Sequence, residues 1–159
     1  KEVARGIEFS EHLAELVETV ARDPRRPESG RVVLERRGGP AAIRADCEQM
    51  RQVWLNLATN ALEAMPRGGT LTVRWEAGED GMVAVECIDD GPGIATDDLS
   101  RVGQPFFTTK QGGTGLGLAI AQRIVERHGG VLVLENFKQR GTVARIAMPG
   151  AAMQLARVA

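Results

Sequence analysis

Two segments, TLTVRWEA and MVAVECID, alternate apolar and polar residues, and the stretch from Gly78 to Gly81 folds one back on the other. A period of two with a tight connection dictates antiparallel pairing and a single buried face. Near the C-terminus VLVLENF and GTVARIAMP read as two further strands. Helices and strands otherwise interleave, and two hairpins in that order argue against a doubly wound parallel sheet. The expected class is α+β: a two-layer sandwich with a mixed, mostly antiparallel sheet and helices on one face.

The remaining elements follow from their start and stop signals. Ser10 is placed to cap a helix through EHLAELVETVAR, with Leu13, Leu16, Val17 and Val20 on one side. DPRRPESG is a turn-rich connector, too short to mark a domain boundary. RVVLERR and AAIRA are short strands separated by Gly38, Gly39 and Pro40. Asp46 and Gln49 form a D-x-x-Q capping box. The helix they open runs to Met65 and is stopped by Pro66 and the Gly68-Gly69 pair. After Asp89 about twenty residues lack regular structure, longer than an ordinary connection. A helix then spans about Leu116 to Arg127 and ends at His128-Gly129-Gly130. Residues 1–150 are expected as one domain and 151–159 as a frayed tail.

At 159 residues, one core suffices. Lys+Arg number 20 and Asp+Glu 21, so charge gives no argument for a nucleic-acid partner or for direct membrane contact. Cys47 and Cys87 lie far apart without metal-ligand spacing and are expected as free thiols of a reducing, cytoplasmic compartment. No apolar run approaches the ~18 residues of a spanning helix. The chain opens on Lys1 and reads as a fragment of a longer protein, soluble or membrane-anchored.

Three stretches carry candidate chemistry. In WLNLATNALEAM, Asn56 and Asn60 sit one turn apart on the helix face opposite Val53, Leu57 and Ala61. Asn is a poor helix former, costing roughly 0.5–0.7 kcal/mol relative to Ala. The stripe is either a solvated face or a pair of amides that hold something; an amide oxygen is a proper hard ligand for Mg²⁺ that takes its other ligands from phosphates. In CIDDGPGIA, a strand ends on Asp89 and Gly91-Pro92-Gly93 turns the backbone. This is plain turn punctuation, or a carboxylate over a bare-backbone pocket that accepts from an adenine amine and rejects a guanine oxygen. In PFFTTKQGGTGLGLAIAQ, Gly112, Gly113, Gly115 and Gly117 run into a helix start. The stretch is a flexible loop or a phosphate cradle. It follows TTKQ instead of a strand and lacks GxxxxGK[ST]. Phe106 and Phe107 suit it as anchors for a mobile segment, and Lys110 as a flexible point charge for a terminal phosphate.

Taken in order, these stretches resemble the GHKL superfamily with its Bergerat-type ATP-binding fold, and more narrowly the catalytic domain of bacterial sensor histidine kinases. NLATNALEAM resembles the asparagine box, DDGPGI the first glycine box, PFFTTK the phenylalanine box and GTGLGLAI the second glycine box. The likeness runs from about Phe9 to Pro149, and the wording is most similar to the nitrogen-regulatory branch. It implies ATP and Mg²⁺ as cofactors. Asn60 would bind Mg²⁺, with Asn56 supporting phosphates or metal. Asp89 would read the adenine, with Gly91, Gly93 and Thr142 shaping that pocket. Residues from about Ala95 to Gly113 would form the lid, carrying Phe106, Phe107, Thr109 and Lys110. Gly113, Thr114, Gly115, Leu116 and Gly117 would hold the phosphates.

GHKL hydrolases such as gyrase typically carry an acidic base where this chain has Asn56, so the resemblance implies phosphoryl transfer over hydrolysis. Two positions depart from the family. Glu63 stands where many histidine kinases have a basic residue, leaving Lys110, Arg101 or Arg67 to meet phosphate charge. Gly103 replaces an aromatic before P-F-F, which would loosen the lid. Neither His12 nor His128 fits the H-E-x-x-x-P acceptor pattern; both read as surface or capping histidines.

The expected function is an ATP·Mg-binding catalytic domain, monomeric alone, that transfers the γ-phosphoryl to a histidine on a separate dimerisation domain, with a response regulator downstream. The alternatives are a stand-alone GHKL ATPase, an anti-sigma-type serine kinase, or a nucleotide-binding module without transfer activity.

Overall fold

The computed structural model describes residues 5–8, 32–38, 41–108, 113–138 and 140–151. The expected helix after Ser10, the 23–30 connector and most of the tail lie outside these residues. Among the described residues a five-stranded sheet carries the fold, in the order β2 (Val32–Arg37), β4 (Gly69–Ala77), β5 (Met82–Asp89), β7 (Thr142–Pro149) and β6 (Val131–Asn136). β2 runs parallel to β4, and every other neighbour is antiparallel. Both expected hairpins are present. A separate antiparallel pair joins β1 (Arg5–Glu8) to β3 (Ala42–Ala45), and a bridge from Ile43 to Gly150 ties it to the end of β7.

Period-two alternation sorts the faces. Leu71, Val73 and Trp75 of β4 point inward with Val83 and Val85 of β5 and Ile146 and Met148 of β7, all buried. The opposite face carries an ion ladder over four strands: Arg74 pairs with Glu86 at 2.6 Å, Glu86 with Arg145 at 3.0 Å, and Arg145 with Glu135 at 3.1 Å. Such half-exposed pairs stabilise weakly, about 0–1 kcal/mol each, but they keep this face polar. The helices therefore pack on the other face.

Helix α1 (Cys47–Ala64) buries Met50, Val53, Trp54, Leu57 and Ala61, the stripe expected from its 3.6-residue period. Its cap is the predicted one: Asp46 Oδ1 accepts from Gln49 N at 3.1 Å. The reciprocal arm of the box differs. Gln49 Nε2 donates to Asp46 Oδ2 at 3.3 Å, and the Asp46 N–H donates instead to Nε2 of His128 at 3.1 Å. That bond places the ring hydrogen on Nδ1, which donates to the Ile124 carbonyl at 2.8 Å. His128 thus fastens the C-terminal end of helix α3 (Gly117–Arg127) to the start of α1. Helix α3 buries Ala121, Ile124 and Val125 against the same core. The long segment after Asp89 contains one short helix, α2 (Thr96–Leu99). No helix of the described residues is long and apolar enough to cross a membrane.

Candidate functional site

A cleft of about 620 Å³ opens between α1, the ends of β5 and β7, the start of α3 and the segment that carries α2. That volume suits a small organic ligand. Asp89, Cys87 and Thr142 line its floor; Asn56 and Asn60 line one wall. Gly113, Thr114, Gly115 and Gly117 line the end next to α3, and Gly93 and Phe107 complete the rim. Three stretches far apart in sequence are thus brought onto one surface.

Asp89 is the last residue of β5 and, at 6% exposure, the one buried charged side chain among the described residues. A carboxylate without hydrogen-bond partners would be expensive there. Its Oδ1 accepts from Gly91 N at 2.8 Å and from Thr142 N at 3.3 Å. Gly91 itself does not line the cleft; it contributes through that N–H. The register of β5 on β7 brings Thr142 into reach, and Gly141, at φ +93°, lies so close that a Cβ would strike the Asp89 carbonyl. Only glycine fits in that approach.

Asn56 and Asn60 are half-buried on α1 and face the cleft. The Asn56 Nδ2 donates to the carbonyl of Gly117, the first residue of α3, at 2.9 Å. No side chain caps α3, its first turn holds no acidic residue, and its N-terminal residue lines the cleft. Backbone amides and the positive end of the helix dipole are then available to an anion. Leu116 is the N-cap residue and does not itself line the cleft.

The two phenylalanines separate. Phe107 lines the cleft and lies under the Arg101 guanidinium, 4.3 Å from its ring centroid, an arrangement of cation–π type. Phe106 is 76% exposed and does not line the cleft. Its φ of +68° is unusual for a bulky residue. Its N–H donates to the Gly115 carbonyl at 3.0 Å, and a Cβ on Gly115 would strike the Phe106 backbone. The segment that carries Phe106 and Phe107 is stitched to the glycine segment at this point. Thr109 and Lys110 lie outside the described residues.

Sequence reasoning passed over several residues of the cleft. Cys87 could have been found, because it stands two before Asp89 and therefore shares its face. Burial pushes its thiol up to about 12, so a neutral group stands beside the carboxylate. Leu134 and Ala144 add apolar floor, and Asp98 and Val102 face it from the α2 segment; no spacing pointed to these. Gly103, noted in the sequence as a departure before P-F-F, lines the cleft as well. Among the described residues no cluster of three His, Cys, Asp or Glu side chains could hold a metal by itself. The donor set on α1 is amide, which suits Mg²⁺ held jointly with phosphate oxygens and water.

The family model for histidine kinase-, DNA gyrase B- and HSP90-like ATPases matches residues 45–152. Sporulation kinase E of Bacillus subtilis (strain 168) is 42% identical over 105 residues, covering 65% of this chain and 14% of the relative. Sensor histidine kinase ZraS of Salmonella typhi is 43% identical over 112 residues, 70% of this chain and 24% of the relative. The chain therefore spans under a quarter of the length of either. The solved catalytic domain of histidine kinase ThkA superposes with a TM-score of 0.81 at 29% identity, covering 92% of this chain and 95% of that one. The mycobacterial sensor histidine kinase MprB does so with a TM-score of 0.81 at 30% identity, covering 94% and 99%.

Proposed function

Because the chain belongs to the histidine kinase-, DNA gyrase B- and HSP90-like ATPase family, as an ATP-binding catalytic domain of the histidine-kinase type, we propose that its cleft holds ATP with Mg²⁺ and presents the γ-phosphoryl to an imidazole on a separate dimerisation domain. The single observation that supports this most is that Asn60, Asp89 and Gly115 line one cleft.

In this reading Asp89 accepts from the adenine amine, held in place by the N–H groups of Gly91 and Thr142. Gly93 and Phe107 close the pocket, and Gly113 to Gly117 with the start of α3 receive the phosphates. Asn60 supplies an amide oxygen to Mg²⁺, whose chemistry is to neutralise charge on the phosphate oxygens. Lys110, Thr109 and Arg101 belong to the lid, Lys110 as the cation for the terminal phosphate. Phe106, Leu116 and Gly91 act through the backbone.

Nothing on α1 at position 56 can take a proton from water, because an amide is not a base. The Asn56 amide nitrogen is moreover committed to Gly117. Positioning, with charge neutralisation, is what this chain contributes to the reaction. A histidine-bearing dimerisation domain and a downstream response regulator are the partners this implies, in the ATP-containing cytoplasm. Hydrolysis is the second reading, and Glu63 gives it a foothold as the acidic side chain of α1 that lines the cleft.

The test mixes this chain with a separately produced histidine-bearing dimerisation domain and γ-labelled ATP. Acid-labile label on the histidine, dependent on Mg²⁺ and lost in Asn60→Ala, is the expected result. Brisk ATP hydrolysis that Glu63→Gln removes, with no labelled histidine, would overturn it in favour of the hydrolase.

A further inference from the structure

Strand β5 ends at Asp89, and the Gly-Pro-Gly turn carries the chain out of the sheet. The backbone at Ile94 would therefore have no ladder partner. Asn136, the last residue of β6, supplies one from its side chain. Its Oδ1 accepts from Ile94 N at 2.7 Å and its Nδ2 donates to Ile94 O at 2.8 Å. A primary amide presents one acceptor and one donor side by side, as a peptide unit does, so Asn136 acts as one more rung of sheet. The residue is exposed, and Asn is disfavoured in strands. Neither burial nor strand propensity accounts for it.

The clasp belongs to a closed circuit around the cleft floor. The backbone of Asn136 is in register with Thr142. Thr142 N donates to Asp89 Oδ1, and so does Gly91 N at the start of the turn that leads to Ile94. Gly93, at φ +81°, completes the fit: a Cβ there would lie 2.8 Å from Asn136 Oδ1. Gly93 and Ile94 line the cleft, and the segment that carries α2, Arg101 and Phe107 begins immediately after them.

We propose that Asn136 is a positioning residue for the nucleotide: by clasping the Ile94 backbone it holds the Gly93–Ile94 wall at a fixed distance from Asp89. The inference rests on the ATP reading above. It touches neither phosphates nor the incoming imidazole. Its loss therefore acts on nucleotide capture and spares the transfer step.

The experiment compares wild type with Asn136→Ala and Asn136→Asp in three measurements: ATP dependence of transfer to a histidine-bearing dimerisation domain, thermal unfolding of the unliganded chain, and hydrogen exchange of the Ile94 amide. Asn136→Ala is expected to raise KM for ATP roughly tenfold with kcat within about twofold. It should also speed exchange at Ile94 while leaving the unfolding midpoint nearly in place. Asn136→Asp keeps the acceptor, loses the donor and sets a carboxylate against the Ile94 carbonyl, so its KM should rise also. An unchanged KM in both variants overturns the proposal, as does a fall in kcat equal to the rise in KM. If Asn136→Ala fails to fold, Asn136→Asp decides by the same criteria. Should wild type fail to bind ATP, the functional reading fails, and with it the nucleotide role of Asn136. Faster exchange at Ile94 would then still register the clasp itself, which keeps the two failures apart.

Discussion

The side-chain amide of Asn56 donates to the carbonyl of Gly117 at 2.9 Å, joining the middle of α1 to the first turn of α3 across 61 positions of sequence. The two helices are antiparallel, and His128 joins their other ends through the Asp46 N–H. One helix carries the paired amides and the other opens on the glycine segment. Their relative placement fixes the cleft between them.

Asn56→Asp tests the first of these ties. Aspartate has nearly the same shape but only acceptors at neutral pH, so it confronts the Gly117 carbonyl with a second oxygen. The expected cost is about 1–3 kcal/mol of folding stability, from a half-buried acceptor left without its donor. Denaturant unfolding measures it. Equal midpoints for Asn56→Asp and wild type would show that the tie does not hold the helices.

Asp89→Asn separates folding from binding. The amide oxygen can still accept from Gly91 N and Thr142 N, so stability should change little. The other oxygen becomes an NH₂ group and can no longer accept from an adenine amine. A charge-assisted bond is lost and two donors face each other, which should weaken ATP binding roughly 10–100-fold and narrow the preference for ATP over GTP. Nucleotide titration by fluorescence or calorimetry checks this, and unaltered ATP affinity would remove Asp89 from the adenine pocket.

The faces of β4 and β5 were legible because alternation alone decides them, and the Asp46 cap because its chemistry is local. Pairing was less so: periodicity tells which way a side chain points, not that β2 lies parallel to β4 or that β3 pairs with β1. At the site the residue types in each box could be read, but their hydrogen bonds could not. A sequence gives Asn56 as an amide on a polar stripe; only the fold shows it bound to Gly117. Phe106 and Phe107 look alike as neighbours, yet a left-handed backbone at Phe106 turns one outward and leaves the other on the cleft. Asn136 passed as an ordinary residue of the strand VLVLENF, because its partner, Ile94, lies 42 positions away.

His128→Ala tests the second tie between the helices. It removes the acceptor for the Asp46 N–H and the donor for the Ile124 carbonyl together. The expected loss is roughly 1–2 kcal/mol, or about 3–6 °C in Tm for a chain of this size. The ATP affinity of the folded variant should stay within about threefold, since His128 lies at the far end of α3 from Gly117. A large loss of affinity at unchanged Tm would contradict the assignment of His128 as a fastening between helices.

Cys87 gives the domain a stability term that depends on alkaline pH. Burial raises its thiol from 9.0 to about 12, so the folded chain keeps a proton that the unfolded chain releases as pH climbs above 9. Where the folded state binds more protons, stability falls with rising pH. The contribution is therefore complete below pH 9 and is lost progressively between 9 and about 12, by up to ~1.4 kcal/mol per pH unit. Cys87→Ala lacks the titrating group, so the stability difference between wild type and variant should be constant from pH 7 to 9 and shift against wild type above it. Denaturant unfolding of both chains at pH 8, 9, 10 and 10.5 resolves the slope. A difference that stays flat through pH 10.5 would mean that the thiol, which is half-buried and lines the cleft between its register neighbours Val73 and Ala144, ionises in contact with water and without penalty.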